Sequence, residues 1–176
     1  MNTRVPRSIS LEAEFKPGPG HKSCKGEALS YSRGFELAIT EERRILEQIC
    51  DELRTNPTLT RAQWDRLRSS LGDRFEKAWR LVGQRRVKKY IFEPSGRVVW
   101  IVVGRESEYQ VLPESGYCDC SDFYFRVVNG EAGLCYHLMA QRLAEALEEY
   151  EEVREEDAFY EPLMEEWRHL SAVQAQ

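Results

Sequence analysis

Hydrophobic positions repeat with helical spacing along the first part of the chain. Within residues 41–54 an apolar side chain returns every three or four positions, which predicts an amphipathic helix with Thr40 as its N-cap. After the breaking stretch TNPTL, Thr60-x-x-Gln63 has the form of a capping box and predicts the start of a second helix. Gly72 is expected to end that helix.

A third helix is predicted directly after the second. Asp73-x-x-Glu76 again resembles a capping box, and Gly83 is expected to end the helix. The apolar residues of all three helices have core-facing spacing, which favours packing in a core over the lining of a ligand pocket.

After the third helix the hydrophobic pattern changes from helical spacing to runs typical of β-strands. Residues 87–93 and 97–103 are rich in β-branched and aromatic side chains and flank the turn PSG, and residues 108–112 form a third such run. The simplest arrangement is a three-stranded antiparallel meander. Its central strand, 98–103, is apolar enough to be covered on both faces.

Helical spacing returns near the C-terminal end. Apolar side chains recur at i, i+4, i+8 and i+11 from Met139 to Tyr150, with Val153 beside them, which predicts a helix of about five turns with an acidic, solvated face. A short last helix is predicted from Ala158 to Leu170, packing back through Phe159, Leu163 and Trp167.

Between the meander and the long helix lies a cluster of residue types that bind metals. Three of the five cysteines and one of the three histidines occur there as Cys118-x-Cys120 and Cys135-x-His137. Zinc prefers four such ligands in a tetrahedron, and three cysteines with one histidine are a usual structural set.

The spacing can bring the four side chains together. Cys118 and Cys120 converge if the chain turns between them. Residues two apart point about 200° apart on a helix, so Cys135 is expected just before the long helix and His137 in its first turn. Buried thiols with a core histidine, or an iron–sulfur cluster, are the alternatives, although such clusters favour four cysteines. With four protein ligands the site has no open position for catalysis.

Composition and charge limit the class of protein. The chain has 176 residues, of which 41% are hydrophobic and 31% charged, as in globular domains. No apolar run approaches the roughly 20 residues of a membrane helix, and the first residues contain no secretory signal core. These features predict a location in the reducing cytoplasm, or in the nucleus of a eukaryote, where clustered thiols favour metal binding over disulfides.

Charge is unevenly distributed. Residues 74–105 contain nine Lys or Arg against two acidic residues, whereas residues 145–166 contain eleven acidic residues and one Arg. The two zones could meet two different partners, or could simply be two solvated faces.

The metal-ligand pattern resembles the SWIM zinc finger, in which C-x-C is followed at a distance by C-x-H. The stretch from Cys135 to Ala140 also resembles the C-x-H-x-x-A extension of the SWIM subunits of Shu-type complexes. The stretches PSGRVVWIVVG and DFYF are similar to that subfamily too, and the resemblance covers about Leu67 to Tyr150.

This resemblance implies a non-catalytic adaptor. The proteins of this subfamily bind recombinase paralogues of the RecA family and promote homologous recombination. Carried over, one structural Zn²⁺ is held by Cys118, Cys120, Cys135 and His137. Ala140 would let the helix approach its neighbours closely, unless it only packs in the core. The partner would then dock beside the finger or on the apolar side chains of the last helix.

Direct binding of single-stranded nucleic acid is the alternative function. Phosphates would be contacted by basic residues, and unpaired bases would stack on aromatic rings next to the metal, unless those rings only fill its hydrophobic surroundings. The candidates are Arg85, Arg86, Lys88, Lys89, Phe123, Tyr124 and Phe125. Enzymatic activity is not predicted, since the chain has no P-loop motif and no evident nucleophile–base pair.

The sequence therefore predicts an α+β protein. It combines N-terminal helices, a three-stranded antiparallel meander, and a zinc-stapled finger that leads into a long C-terminal helix. The predicted divisions are a flexible tail (1–36), a helical segment (37–72), the SWIM zinc-finger domain (73–157), and a short C-terminal helix with its tail (158–176).

Overall fold

The computed structural model describes residues 28–105 and 107–173, with side chains from residue 41 to residue 168. Within this part the chain forms five α-helices and one five-stranded sheet, so the α+β class is confirmed. The helices are α1 (Ala28–Thr55), α2 (Arg61–Leu71), α3 (Asp73–Gly83), α4 (Tyr136–Leu147) and α5 (Tyr160–Val173). The strands are β1 (Val87–Glu93), β2 (Arg97–Val103), β3 (Glu108–Leu112), β4 (Tyr117–Cys118) and β5 (Glu151–Glu156).

The N-terminal helices form largely as predicted. Helix α1 contains the expected apolar stripe but begins at Ala28, so residues 28–36 of the predicted flexible tail belong to a helix. The rest of that tail, residues 1–27, lies outside the described residues. The capping box of α2 is present, since the Gln63 amide donates to the Thr60 hydroxyl and the Gln63 side chain accepts from the Thr60 amide.

The start of α3 differs from the prediction. The N-cap is Gly72, with φ of 60°, and Asp73 is already the first helical residue. No side chain caps this end by a hydrogen bond. The reason is that Gly72 ends α2 and begins α3 at once, which leaves no separate residue for a cap. Asp73 and Glu76 still place negative charge at the positive end of the helix.

The predicted meander is confirmed, and two further strands extend it. The strand order is β4-β3-β2-β1-β5, with antiparallel pairing throughout except between β1 and β5. The turn between β1 and β2 contains a cis Glu93–Pro94 peptide bond and Gly96 at φ of 71°. Strand β2 is buried on both faces from Val99 to Val102, as its composition predicted.

The predicted five-turn helix is wrong in its second half. Helix α4 ends at Leu147, because Glu148 adopts a left-handed conformation and turns the chain. Residues 151–156 then form β5, which pairs in parallel with β1 so that Val153 lies opposite Tyr90. The spacing from Met139 to Tyr150 matches a helix locally, but the long-range pairing with β1 decides the outcome.

The two charged zones face each other within the molecule. Register places Lys88 opposite Glu151 and Lys89 opposite Glu152. Nearby, Arg85 forms an ion pair of 3.1 Å with Glu149. Opposite charges across a strand pair stabilise it modestly. Part of the charge that suggested two external partners therefore lies side by side within the molecule.

The sheet separates two apolar clusters. On one face α1, α2, α3 and α4 bury the larger cluster, which includes Phe75, Trp100 and Leu143. On the other face the last helix covers Phe92 and Ile101 through its own buried side chain, Trp167. The end of β4 and the start of α4 both belong to the larger cluster, and this places the metal-binding residues in the core.

Candidate metal centre

The C-x-C pair lies where the sheet ends. Cys118 is the last residue of β4, opposite Val111, and the chain turns at Asp119 to bring Cys120 back towards it. The Cys120 sulfur accepts a hydrogen bond from the amide of Phe123 at 3.3 Å. The two thiols therefore converge as the spacing predicted.

The C-x-H pair lies at the start of α4. Cys135 is the N-cap, in an extended conformation, and its sulfur accepts from the Leu138 amide at 3.5 Å. His137 follows in the first turn, which confirms the predicted placement of the two residues. The positive end of the helix and its amides stabilise thiolate at this position.

The four side chains form one buried cluster. Their ligand atoms all lie within 4.8 Å of one another. The relative exposures of Cys118, Cys120, Cys135 and His137 are 0%, 2%, 0% and 1%. The cluster therefore joins the end of the sheet to the start of α4 in a space closed to solvent.

The imidazole of His137 is held in position by its neighbours. Its Nδ1 lies 3.9 Å from the Cys118 sulfur, and atoms bound to one zinc at about 2.0 and 2.3 Å in a tetrahedron lie roughly 3.5 Å apart. The rings of Tyr109 and Tyr136 lie 4.2 and 3.9 Å from the imidazole centroid. Nε2 is buried and has no hydrogen-bond partner among the described residues.

The thiols differ in acidity because they interact. Hydrogen bonds to Cys120 and Cys135, together with burial, raise the pKa of Cys118 far above its usual range. Burial opposes ionisation of Cys135, but hydrogen bonds from Cys118, Cys120 and the backbone lower its pKa to about 4. A bound dication would favour the thiolate form of the cysteines that hold it.

The donor set fits a zinc ion. Three thiolates and one imidazole are soft and borderline ligands that suit tetrahedral zinc. Four protein donors complete such a tetrahedron without water. The cluster can therefore serve as a structural metal site that fixes two distant parts of the chain.

Ala140 lies one turn after His137 on the same helix. It is fully buried, in the region where α4 packs against α1 and α3. A larger side chain there would have to displace core residues. Burial of Ala140 agrees both with the close helix approach that the resemblance implied and with ordinary packing in the core, so the close approach stays a prediction.

All four basic candidates for nucleic-acid contact have partners within the chain, and three of the four are partly buried. Arg86 donates to the Gly104 carbonyl at 3.0 Å, and Lys88 lies 3.5 Å from the Glu108 carboxylate. Lys89 lies over the rings of Trp100 and Tyr150, at 5.4 and 5.6 Å from their centroids. The structure therefore uses these cations internally and does not gather them into one open patch.

The fourth basic candidate is Arg85, which has φ of 53° and pairs with Glu149 at the surface. Ion pairs this exposed contribute little to stability. A phosphate could replace Glu149 here more easily than the partners of the other three cations.

The aromatic candidates divide into inner and outer positions. Phe123 is half-buried, packs on the core, and lies 5.3 Å from the Tyr117 ring. Tyr124 is 53% exposed, and its hydroxyl lies 3.4 Å from that of Tyr117. Only Tyr124 and the adjacent Phe125 are open enough to stack with a base.

Sequence analysis missed two residues that support the site. Tyr109 and Tyr136 enclose the imidazole, and burial raises the pKa of Tyr136 above its usual range. The position of Tyr136 between the two ligands of C-x-H could have identified it. Nothing in the sequence indicates Tyr109, since its contact depends on how β3 meets α4.

The other expectations concern residues away from the cluster. Cys50 is buried on α1, and burial raises its pKa to about 12, which makes its thiol unreactive. Leu163 and Trp167 pack on the sheet, whereas Phe159 is 51% exposed. No helix within the described residues is long and apolar enough to span a bilayer.

Comparison with known proteins supports the ligand pattern. A curated protein of Dictyostelium discoideum, named zinc finger SWIM domain-containing protein 7 homolog, is 30% identical over 83 residues. The match covers 46% of this chain and 53% of the relative, so the chain spans about half the length of the curated relative that it matches. No family model and no solved structure matches. The similarity to a SWIM protein and the buried Cys₃His cluster both support the resemblance of this chain to the SWIM zinc-finger family.

Proposed function

We propose that the protein is a non-catalytic adaptor, held together by one structural zinc ion, that binds a RecA-fold ATPase and acts in homologous recombination. The observation that carries the proposal is the closed cluster of four ligands between β4 and α4. The resemblance to the SWIM subunits of Shu-type complexes and the similarity to a SWIM-domain protein support it.

Burial supports a structural role for the zinc. A catalytic zinc site keeps a position for water or substrate. Here all four candidate ligands are at most 2% exposed, and four protein donors would complete a tetrahedron without water. The ion would hold the end of the sheet against α4, and binding surfaces on both sides would depend on it.

The proposal is tested by co-expression with the RecA-fold ATPases of the same source organism. The proteins are co-purified with and without ATP, and native mass spectrometry counts chains and zinc. We expect one zinc per chain and a stable complex with one of the ATPases. If the folded, zinc-loaded protein binds none of them in any nucleotide state, the adaptor function is wrong.

Direct binding of single-stranded DNA is the second candidate, and the exposed Tyr124 ring is the observation that favours it. Stacking alone needs support from phosphate contacts, and all four basic candidates have partners in the chain, although that of Arg85 is exposed. Binding through phosphates predicts an affinity that falls steeply with salt. Fluorescence anisotropy with an oligothymidine at low and moderate salt tests this, and no binding at low salt excludes it.

A further inference from the structure

The segment after the second cysteine is apolar on both sides. Residues Phe123–Val128 form a short π-helical segment with the sequence FYFRVV, in which Arg126 is the single charged residue. Such segments are rare and occur often at functional sites. A helical segment that is apolar all round is normally buried on all sides, and this one is not.

The inner side of the segment packs against the protein. Phe123 and Val127 are partly buried against the larger core cluster. The Phe123 amide donates to the Cys120 sulfur, so the segment is joined directly to the metal cluster. Its position is therefore fixed by the same four ligands that hold β4 against α4.

The outer side of the segment is open to solvent. Tyr124, Phe125 and Val128 have relative exposures of 53%, 70% and 62%. Val128 is four residues after Tyr124 and three after Phe125, so each of the two rings lies beside Val128 on the surface of the turn. Phe125 is the most exposed large hydrophobic side chain among those that the structure describes. Contiguous exposed apolar residues of this kind mark interaction sites.

The charged residues on either side of this segment in the sequence are mostly acidic. Residues 112–131 contain four acidic side chains and one basic one. Arg126, the basic one, lies 3.7 Å from Asp122. A zinc ion bound by three thiolates adds a further net negative charge. A phosphate backbone would be repelled here, whereas a protein surface that carries Lys and Arg would be attracted.

We propose that the outer side of this segment, formed by Tyr124, Phe125 and Val128, is the docking surface for a partner protein that presents an apolar pocket edged by Lys and Arg. This inference rests on the proposed function, in which the partner is the RecA-fold ATPase, and it names the surface that the ATPase contacts. It places the partner beside the finger and not on the last helix.

The test compares two exposed phenylalanines. Phe125→Ala removes the centre of the proposed surface, and Phe159→Ala removes a similarly exposed ring that precedes α5. Binding of the ATPase is measured by calorimetry after equal zinc content and equal melting temperature have been verified. We expect Phe125→Ala to weaken binding at least about 30-fold, as for a central aromatic residue of an interface. Phe159→Ala should stay within about twofold of the wild type.

A charge reversal separates the protein partner from nucleic acid. Glu131→Lys changes an exposed acidic side chain next to the segment. It should weaken binding to a basic protein surface several-fold and make the affinity less sensitive to salt. If the surface instead bound single-stranded DNA, the same change would strengthen binding of an oligothymidine.

The outcomes distinguish this inference from the proposed function. If the wild type binds the ATPase and Phe125→Ala binds equally well, the docking surface is wrong and the adaptor function stands. If the wild type binds no RecA-fold ATPase, the adaptor function is wrong, and a photo-crosslinking amino acid at position 125 or 159 tests the surface in the host cell. The docking surface is supported if crosslinks form from position 125 and not from position 159, and if they lead to an apolar site on a protein that is edged by Lys and Arg. Crosslinks to nucleic acid, or none from position 125, overturn it.

Discussion

Loss of one metal ligand should lower the free energy of unfolding far more than loss of a buried cysteine elsewhere. Cys135 and Cys50 are both buried, at 0% and 2% exposure, but only Cys135 belongs to the metal cluster. The substitutions Cys135→Ala and Cys50→Ala therefore form a matched pair. Each removes one sulfur from the core, and they differ in what that sulfur binds.

The magnitude follows from two contributions. Cys135 is the N-cap of α4, and loss of a cap costs about 1 kcal/mol. A site that binds zinc at a free concentration 1,000 times its dissociation constant stabilises the fold by about 4 kcal/mol. Together they give about 5 kcal/mol, close to the whole stability of a marginal domain. For a chain of this size that corresponds to a fall in melting temperature of about 10–20 °C.

The assay combines native mass spectrometry for zinc with thermal melting followed by circular dichroism. We expect Cys135→Ala to lose its zinc and to melt a few degrees below the chelator-treated wild type, because the variant also loses the cap of α4. Cys50→Ala should keep one zinc and cost about 1 kcal/mol, the central value for point substitutions. The reasoning would be refuted if Cys135→Ala kept its zinc or melted within a few degrees of Cys50→Ala.

Three further predictions concern the rest of the fold. Trp167→Ala should lower the free energy of unfolding by about 3–5 kcal/mol, because this buried ring holds α5 on the sheet. Urea denaturation measures this change, and a loss below about 1 kcal/mol would mean that α5 is not docked. Burial raises the pKa of Cys50 to about 12, so the native state keeps this thiol protonated while the unfolded chain ionises from about pH 9. Stability should therefore fall as pH rises from about 9 to 12, by up to ~1.4 kcal/mol per unit, and a pH series on Cys50→Ala should lack this component. Thr60→Ala should cost about 1 kcal/mol in urea denaturation through loss of the cap of α2, and Thr60→Ser should restore most of it.

Local chemistry explains which parts of the fold could be predicted. The capping box at Thr60 and the β-rich runs on either side of the PSG turn depend on neighbours in sequence, and all of them appear in the structure. The metal cluster was predictable for a similar reason. Cys135 and His137 cannot share one face of a helix but can converge where a helix begins, and the sequence that follows them is helical.

Long-range pairing explains the main error. Val153 continues the apolar spacing of α4, and the glutamates around it favour a helix over a strand. Their conformation is set instead by the basic strand β1, where Lys88 and Lys89 lie opposite Glu151 and Glu152. No local pattern reveals a partner that lies so far away in the chain. The same limit hid the role of Tyr109 beside His137.

The parallel pairing of β1 with β5 has a consequence for how the protein forms. Arg85 and Glu149, which pair across this junction, are 64 residues apart in the chain. During synthesis β1 leaves the ribosome long before β5, and its outer edge stays open in the meantime. Strand β5 follows the meander and the finger in the chain, so it can pair with β1 only after both have been synthesised. Pairing of β5 with this edge is therefore expected to be a late step in folding. Lysines on an open edge discourage pairing with other chains, and the strand that finally covers them carries the matching acids.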